Sequence, residues 1–292
     1  MIVITTPTGD IGRQVVDRLL DAGEAVRVIT RDPSRLPKRV RASAEIVQGS
    51  HGDADTIAKA LEGADRMFWL VPPPGFRDAG DAGHYYLDFT RHAAQEAAKR
   101  DVRMVGVTSL GRGYPDRAGL LSAALAMDEV IEAGGVPYRA LALPFFMENL
   151  LRQARGIKEH ATITMANAAD RPLLTVATQD VADAAAALLL DTSWSGQARV
   201  PLVGPDNLTP DAMADTVSQT LRRTVRYHQV PLADFRAAMV RRGASPALAR
   251  DMADMVQAQN EGIYDAETRD AGSTATGFRR WCQDILGPAV RT

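Results

Sequence analysis

The sequence has little cysteine, no long apolar run and no excess of charge of one sign. A single cysteine, Cys282, among 292 residues excludes an internal disulfide and a thiolate metal cluster. No apolar stretch approaches the ~18 residues that a membrane-spanning helix needs, and residues 1–5 show no secretory leader. A net charge of −2 provides no overall basic surface for nucleic acid or anionic membranes. We therefore expect a cytoplasmic protein, monomeric or homodimeric, with no nucleic-acid or membrane partner.

Several familiar catalytic patterns are also missing. No G-x-S-x-G elbow supports a serine hydrolase. The five histidines have no partner at metal-ligand spacing, so no metal site is expected. They are His51, His84, His92, His160 and His228.

What is present is an alternation of apolar runs and helical patterns through the first half of the chain. This alternation predicts an α/β fold in which a doubly wound parallel sheet, of the Rossmann type, is flanked by crossover helices. Strands are predicted at 2–5, 25–30, 45–47, 67–71, 102–108 and 138–143, and helices at 12–22, 54–62, 84–100 and 120–133.

The second half of the chain is mostly helical. Helix 180–190 and strand 200–203 are expected to return to the Rossmann sheet, with later helices near 210–221, 231–242, 246–259 and 277–286. We predict a dinucleotide-binding domain over residues 1–148 and a smaller substrate-binding lobe over residues 149–292.

The most informative motif is the turn Thr6-Pro7-Thr8-Gly9-Asp10-Ile11-Gly12, which follows the first strand and opens a helix. It has the form G-x-x-G-x-x-G with Thr6 in place of the first glycine. Gly9 suits a close backbone approach to pyrophosphate, and Gly12 suits close packing of helix on strand. The Cβ of Thr6 disfavours positive φ, and Pro7 favours extended backbone at Thr6. The predicted pyrophosphate contacts are Thr6, Thr8, Gly9, Asp10, Ile11 and Gly12.

The end of the second strand indicates which dinucleotide binds. An acidic residue here usually accepts from a ribose 2′-hydroxyl, whereas arginine suits a 2′-phosphate. The strand is followed by Arg31, Asp32 and Arg35. The two arginines favour NADP(H), while Asp32 leaves NAD as the alternative, and a solvated surface loop remains a third interpretation.

Other segments extend the pattern beyond the turn. They are Val28–Leu36, Ala60–Asp65, Val107–Ser109, Pro144–Leu150, Gln179–Ala185, Leu202–Thr209 and Arg279–Trp281. In this order and spacing they resemble, over nearly the whole chain, the NmrA-like group of atypical short-chain dehydrogenases/reductases. The resemblance implies a Rossmann domain, a small C-terminal lobe and a substrate cleft between them over the nicotinamide. Members of the group include quinone and carbonyl reductases, aromatic polyketide ketoreductases and non-catalytic dinucleotide sensors.

Ligands of Rossmann folds collect at the carboxyl ends of the strands. Residues at these ends are therefore further cofactor candidates: Val71, Pro72, Thr108, Pro144 and Phe145. Ser109 ends the fifth strand and is a candidate hydrogen-bond donor to substrate, although it also fits a strand-end cap.

The tyrosine–lysine dyad (Y-x-x-x-K) that most short-chain reductases use for proton supply is absent. Tyr114 is followed at the fourth place by Ala118, and residues 120–131 contain neither tyrosine nor lysine. His84 and Tyr86, beyond a glycine-rich segment with Gly80 and Gly83 as candidate hinges, are further catalytic candidates. Each of them also fits an ordinary packing or surface role.

These observations lead to a functional hypothesis. We expect an NADPH-dependent reductase that transfers hydride to a ketone or quinone of an aromatic, polyketide-like molecule. The oxyanion would be stabilised by Ser109, by water or by the substrate's own phenol. A dinucleotide-sensing regulatory protein is the main alternative, and an isomerase or cyclase is a third.

Overall fold

The computed structural model describes residues 1–75, 82–265, 267 and 272–292. Its strands are β1 (Ile2–Ile4), β2 (Val26–Thr30), β3 (Glu45–Gln48), β4 (Arg66–Trp69), β5 (Arg103–Ser109), β6 (Tyr138–Leu143), β7 (Phe145–Phe146), β8 (Thr162–Met165), β9 (Thr175–Val176), β10 (Gln197–Val203), β11 (Arg226–Gln229) and β12 (Gly272–Ser273).

The helices alternate with these strands in the first half of the chain and dominate the second half. They are α1 (Asp10–Asp21), α2 (Lys38–Ser43), α3 (Ala54–Ala60), α4 (Ala82–Lys99), α5 (Leu120–Ala133), α6 (Ala154–His160), α7 (Thr178–Leu190), α8 (Pro210–Leu221), α9 (Leu232–Arg241), α10 (Pro246–Glu261), α11 (Phe278–Trp281) and α12 (Gly287–Arg291). None of the helices in the described part of the chain has the length and apolarity that a membrane crossing requires.

Eight parallel strands form the central sheet, in the order β12-β10-β6-β5-β4-β1-β2-β3. The order reverses at β1, which is the switch point of a doubly wound fold. The predicted Rossmann architecture is confirmed. Because all the strands run the same way, their carboxyl ends share one edge, and the N-termini of the crossover helices lie there too.

Each face of the sheet carries its own apolar core. One core includes α1 and α7, where Val15, Leu19 and Leu189 pack against β1 and β2. The other includes α3, α4 and α5, where Met127 and Ile131 pack against β4, β5 and β6. Strands covered on both faces read as continuous apolar runs, which is why the sequence predicts them well.

A third apolar core draws mainly on the second half of the chain, the predicted lobe, and also includes Leu110 and Ala142 near the ends of β5 and β6. Two helices of this predicted lobe begin with a capping residue followed by proline, as their sequences indicate. Thr209 accepts from the Ala212 N–H at the start of α8, and Ser245 accepts from the Leu248 N–H at the start of α10. Strands β8 and β11 pair with each other away from the main sheet.

The final predicted helix, 277–286, is wrong in detail. The chain forms α11, a π-helical turn over Cys282–Leu286, and then α12. Gly287 permits the turn, because a Cβ there would lie 3.0 Å from the Cys282 carbonyl oxygen. Periodicity alone does not distinguish such a turn from a regular helix.

Candidate functional site

The turn between β1 and α1 depends on left-handed backbone at Thr6. The φ of Thr6 is +49°, so the expected extended conformation is wrong. The Gly9 N–H donates to the Thr6 carbonyl oxygen at 3.0 Å, and this hydrogen bond closes the turn. The geometry that the first glycine usually supplies is therefore retained by a residue that adopts it at a cost of about 1–2 kcal/mol.

The other two glycines have different constraints. A Cβ at Gly12 would lie 2.2 Å from the Thr6 carbonyl oxygen, whereas a Cβ at Gly9 would lie 3.4 Å from it. The protein itself therefore requires glycine at position 12, while the exposed Gly9 leaves open space on the outer side of the turn. This is the space that a pyrophosphate group would occupy.

The start of α1 offers donors to that space. Within the described part of the chain no side chain caps this helix, whose first N–H groups belong to Asp10, Ile11 and Gly12. The Thr6 hydroxyl is buried without a hydrogen-bond partner among the described residues. Uncapped N–H groups, the helix dipole and an unsatisfied hydroxyl together fit a dinucleotide pyrophosphate.

After the end of β2, the acidic residue is hydrogen-bonded within the chain, whereas the two arginines are exposed. Asp32 Oδ1 accepts from the Ser34 N–H at 3.0 Å and from the Ser34 hydroxyl at 2.6 Å, and these hydrogen bonds lower the pKa of Asp32. Arg31 and Arg35 are exposed, and across the described ranges neither guanidinium has a hydrogen-bond or ion-pair partner. The Asp32 carboxylate therefore already accepts hydrogen bonds from Ser34, while the Arg31 and Arg35 guanidinium groups are positioned to bind an anion.

The ends of β4 and β6 lie at the same carboxyl edge of the sheet. The Thr5 hydroxyl accepts from the Leu70 N–H at 2.9 Å and joins the end of β1 to the segment after β4. Val71 there is buried. Pro144 follows β6 and is buried, and Phe145 is half-buried in β7.

His51, which follows β3, is a feature of this edge that sequence reasoning missed. Its ring lies 5.4 Å from that of Trp69 and 4.9 Å from that of Phe89. Burial, with a smaller contribution from Arg31, lowers the pKa of His51 to about 4. Its Nε2 is buried and unpartnered within the described chain. The imidazole is therefore neutral, and a lone histidine in sequence carries no signal of such an aromatic setting.

The two polar residues that end β5 are both engaged. Thr108 Oγ1 donates to the Ala124 carbonyl oxygen at 3.2 Å, which holds the first turns of α5 beside the strand end. Ser109 Oγ donates to the Leu110 carbonyl oxygen at 2.7 Å, and Ser109 is only 4% exposed. Ser109 must therefore rotate away from Leu110 before it can donate to a ligand.

The other catalytic candidates lie on α4. His84 is exposed in the first turn of this helix, which begins two residues earlier than predicted. Tyr86 is half-buried against the apolar cluster that joins α4 and α5 to α9 and α10, and burial raises its pKa. The candidate hinge Gly80 lies outside the described residues, and Gly83 lies in the first turn of α4.

A cavity of about 280 Å³ opens where α4, α5 and α10 meet. It lies at the same edge as the dinucleotide turn, because α4 and α5 both begin there. Small side chains line most of it. The lining residues are Gly83, Arg117, Gly119, Ser122, Ala123, Ala126 and Asp251.

A buried ionic network supports the turn that follows β5. Arg199 of β10 donates to Asp128 Oδ2 at 2.9 Å and to the Ser109 carbonyl oxygen at 2.9 Å. Glu267 accepts from Arg199 at 3.0 Å and from the Arg112 N–H at 3.0 Å. Tyr138 donates to the fully buried Asp128, whose pKa is raised to about 6 chiefly by burial. The network joins α5, the sheet and the lobe.

Comparison with known proteins assigns the family. Residues 7–192 match the NAD(P)H-binding family, to which the chain therefore belongs. Fold, site and family together define an NAD(P)H-dependent oxidoreductase of the atypical short-chain dehydrogenase/reductase type, which confirms the resemblance seen in sequence. The predicted nicotinamide dinucleotide cofactor is confirmed by the same match.

Relatives that match nearly the whole chain include enzymes named as a reductase and as a quinone oxidoreductase. One is a (4-alkanoyl-5-oxo-2,5-dihydrofuran-3-yl)methyl phosphate reductase of Streptomyces griseus, 29% identical over 96% of both chains. Another is quinone oxidoreductase 2 of Escherichia coli, 25% identical over 91% of this chain and 90% of the relative.

Solved structures confirm the fold. An NADPH-dependent quinone oxidoreductase from Escherichia coli, complexed with NADPH, has a TM-score of 0.78 at 22% identity and covers 100% of this chain and 99% of its own. The triphenylmethane reductase of a Citrobacter species has a TM-score of 0.80 at 18% identity, with the same coverage.

Proposed function

We propose that the protein is an NADPH-dependent reductase of a small, flat ketone or quinone, with aromatic polyketide-like ketones in the same class. The observation that carries this proposal is the cavity at the sheet edge, which lies on the same side as the dinucleotide turn. A dinucleotide sensor has no need of such a cavity. The names of the two relatives described above support a reductase.

The preference for NADPH rests on the end of β2. Arg31 and Arg35 present free cations to a 2′-phosphate, while the Asp32 carboxylate already caps the following turn. A ribose 2′-hydroxyl would compete with two Ser34 hydrogen bonds for that carboxylate. The backbone N–H groups at the start of α1 would hold the pyrophosphate. Thr108, Pro144 and Phe145 are the proposed contacts nearer the nicotinamide.

The reaction is a two-electron reduction of a carbonyl group. Reduced nicotinamide supplies a hydride and is left oxidised, while a proton from water completes the alcohol or hydroquinone. Positioned acid catalysis is typically worth ~10²–10⁴-fold, and the chain lacks the usual tyrosine and lysine. A quinone, or a ketone whose carbonyl oxygen already accepts a hydrogen bond from its own phenol, depends less on acid catalysis by the protein. Water, the substrate phenol and a rotated Ser109 are the proposed stabilisers of the oxyanion.

Steady-state oxidation of NADPH tests the proposal, with a panel of quinones and hydroxylated polycyclic ketones and with NADH as the comparison cofactor. We expect turnover with at least one panel member and a strong preference for NADPH. Tight NADPH binding without turnover of any panel member would contradict the reductase and favour the sensor.

A further inference from the structure

We infer that the cavity between α4, α5 and α10 is the carbonyl-binding site, and that Ser122 is the hydroxyl that donates to the substrate oxygen. This inference rests on the proposed reductase function and deepens it. The observations that support it are the position of the cavity, the hydrogen bonding of Ser122 and the charge balance of the wall.

The position follows from topology. The Thr108 hydroxyl donates to the Ala124 carbonyl oxygen, which places the first turns of α5 directly against the end of β5. Gly119, at the start of α5, has a φ of +53°, and a Cβ there would collide with the Asp251 carbonyl oxygen of α10. The lobe therefore closes over the sheet edge at this point, and the cavity lies between them.

Ser122 has an unused proton. Its hydroxyl oxygen accepts from the Ala118 N–H at 2.8 Å, and no acceptor for its own O–H lies within hydrogen-bond distance in the described ranges. The hydroxyl of Ser109, by contrast, donates to the Leu110 carbonyl oxygen and is buried. Ser122 lines the cavity, so its proton can meet a substrate oxygen without breaking an existing hydrogen bond.

Ala126 lies one helical turn after Ser122 and lines the same cavity. Residues at i and i+4 share a helix face, so this is the spacing of the missing dyad. Small side chains at both places leave room for the ligand. The volume of about 280 Å³ is at the small end of ligand pockets, which indicates one or two fused rings.

The charged wall of the cavity favours a neutral ligand. Arg117 pairs with Asp251, and its Nε lies 3.2 Å from Asp254 Oδ2. Asp251 also accepts from the Ala82 N–H at 3.3 Å. Among the described residues of this wall, one cation faces two carboxylates, which opposes a phosphate or carboxylate ligand and favours an uncharged quinone or ketone.

Serine variants test the donor. For Ser122→Ala we expect at least about a tenfold loss of kcat with 1,4-naphthoquinone, with little change in the dissociation constant of NADPH. Ser122→Thr keeps a hydroxyl and should recover most of the rate. The matched control is Ser193→Ala, at an exposed turn after α7 on the opposite edge of the sheet, which should behave as the parent. Equal rates for Ser122→Ala and the parent would overturn the assignment of the donor.

Filling the cavity tests the site without relying on turnover. For Ala126→Phe we expect loss of 1,4-naphthoquinone binding to the protein–NADP⁺ complex, measured by tryptophan fluorescence, with unchanged NADP⁺ affinity. The control Ala98→Phe adds the same bulk on the exposed side of α4 and should leave quinone binding intact. Unchanged quinone binding in Ala126→Phe would contradict the site. Quinone binding lost only in Ala126→Phe, with no turnover by the parent, would overturn the reductase and retain the site.

Discussion

At the scale of single residues, the turn between β1 and α1 combines a strained backbone at one residue with a close backbone contact at another. Thr6 adopts left-handed backbone that a glycine would adopt more easily, and Gly12 sits against the Thr6 carbonyl oxygen. Sequence reasoning identified all three key positions of the turn. It could not give the conformation of Thr6, because local preferences of threonine before proline oppose the one that the fold imposes.

Two glycine variants separate folding from binding at this turn. Gly12→Ala forces a Cβ into the Thr6 carbonyl and should lower the free energy of unfolding by about 1–3 kcal/mol. Gly9→Ala meets no such obstacle and should change it by less than about 1 kcal/mol, yet weaken NADPH binding at least about tenfold. Urea denaturation and NADPH titration measure the two effects. Equal affinity of the parent and Gly9→Ala would contradict a pyrophosphate at this turn.

The proposed contact of Arg31 with the 2′-phosphate of NADPH can be tested with two cofactors. A charge-assisted hydrogen bond contributes about 1.5–3 kcal/mol to binding. Because Arg31→Ala would lose such a bond to the 2′-phosphate, we expect it to weaken NADPH binding by roughly 10- to 100-fold. NADH, which lacks the 2′-phosphate, should bind the parent and the variant alike. Titration of both cofactors measures this. A parallel loss for NADPH and NADH would indicate that Arg31 does not contact the 2′-phosphate.

His51 makes stability depend on pH. Its pKa is about 4 when folded and 6.5 as an unperturbed group, so between these values the unfolded chain binds a proton that the folded chain excludes. The free energy of unfolding therefore falls as pH drops from about 6.5 to about 4, by up to about 3 kcal/mol from this residue. His51→Phe keeps the aromatic packing and should lack this component in urea denaturation across that range. An identical pH slope in parent and variant would refute the assignment.

At the scale of elements, burial decides what the sequence predicts. Seven of the eight strands of the main sheet were predicted within a few residues, most of them from their apolar runs, whereas the two-residue strand β12 (Gly272–Ser273) was missed. The short strands β8 and β11 were missed, since Thr162–Met165 and Arg226–Gln229 mix polar and apolar residues. The ionic network of Arg199, Asp128 and Glu267 was also missed, because its members are far apart in sequence and meet only through the sheet order.

That network should contribute strongly to stability. Arg199→Met leaves Asp128 buried without its closest cation, which predicts a loss of about 3–5 kcal/mol in the free energy of unfolding near neutral pH. The control Arg155→Met breaks the exposed pair of Arg155 with Glu159 and should cost about 0.5 kcal/mol or less. Urea denaturation of both variants checks the difference. Comparable losses in the two variants would contradict a special role for the buried network.

At the scale of the whole molecule, the fold brings α4, α5 and α10 together around the cavity described above. The resemblance in sequence predicted a cleft of this kind, but not its lining. Ser122 and Ala126 had no signal of their own, since a serine and an alanine in a helix are ordinary residues. The roles proposed for them rest on the way α10 lies against the start of α5.

The central claim is that electrons pass from bound NADPH to a small carbonyl compound in this cavity. A single-turnover experiment tests it most directly: protein loaded with one equivalent of NADPH is mixed with 1,4-naphthoquinone, and the absorbance of the reduced nicotinamide is followed. We expect loss of one equivalent of reduced nicotinamide per chain, faster than in protein-free solution and much slower in Ala126→Phe. NADPH that stays bound and reduced in the presence of the quinone would contradict it.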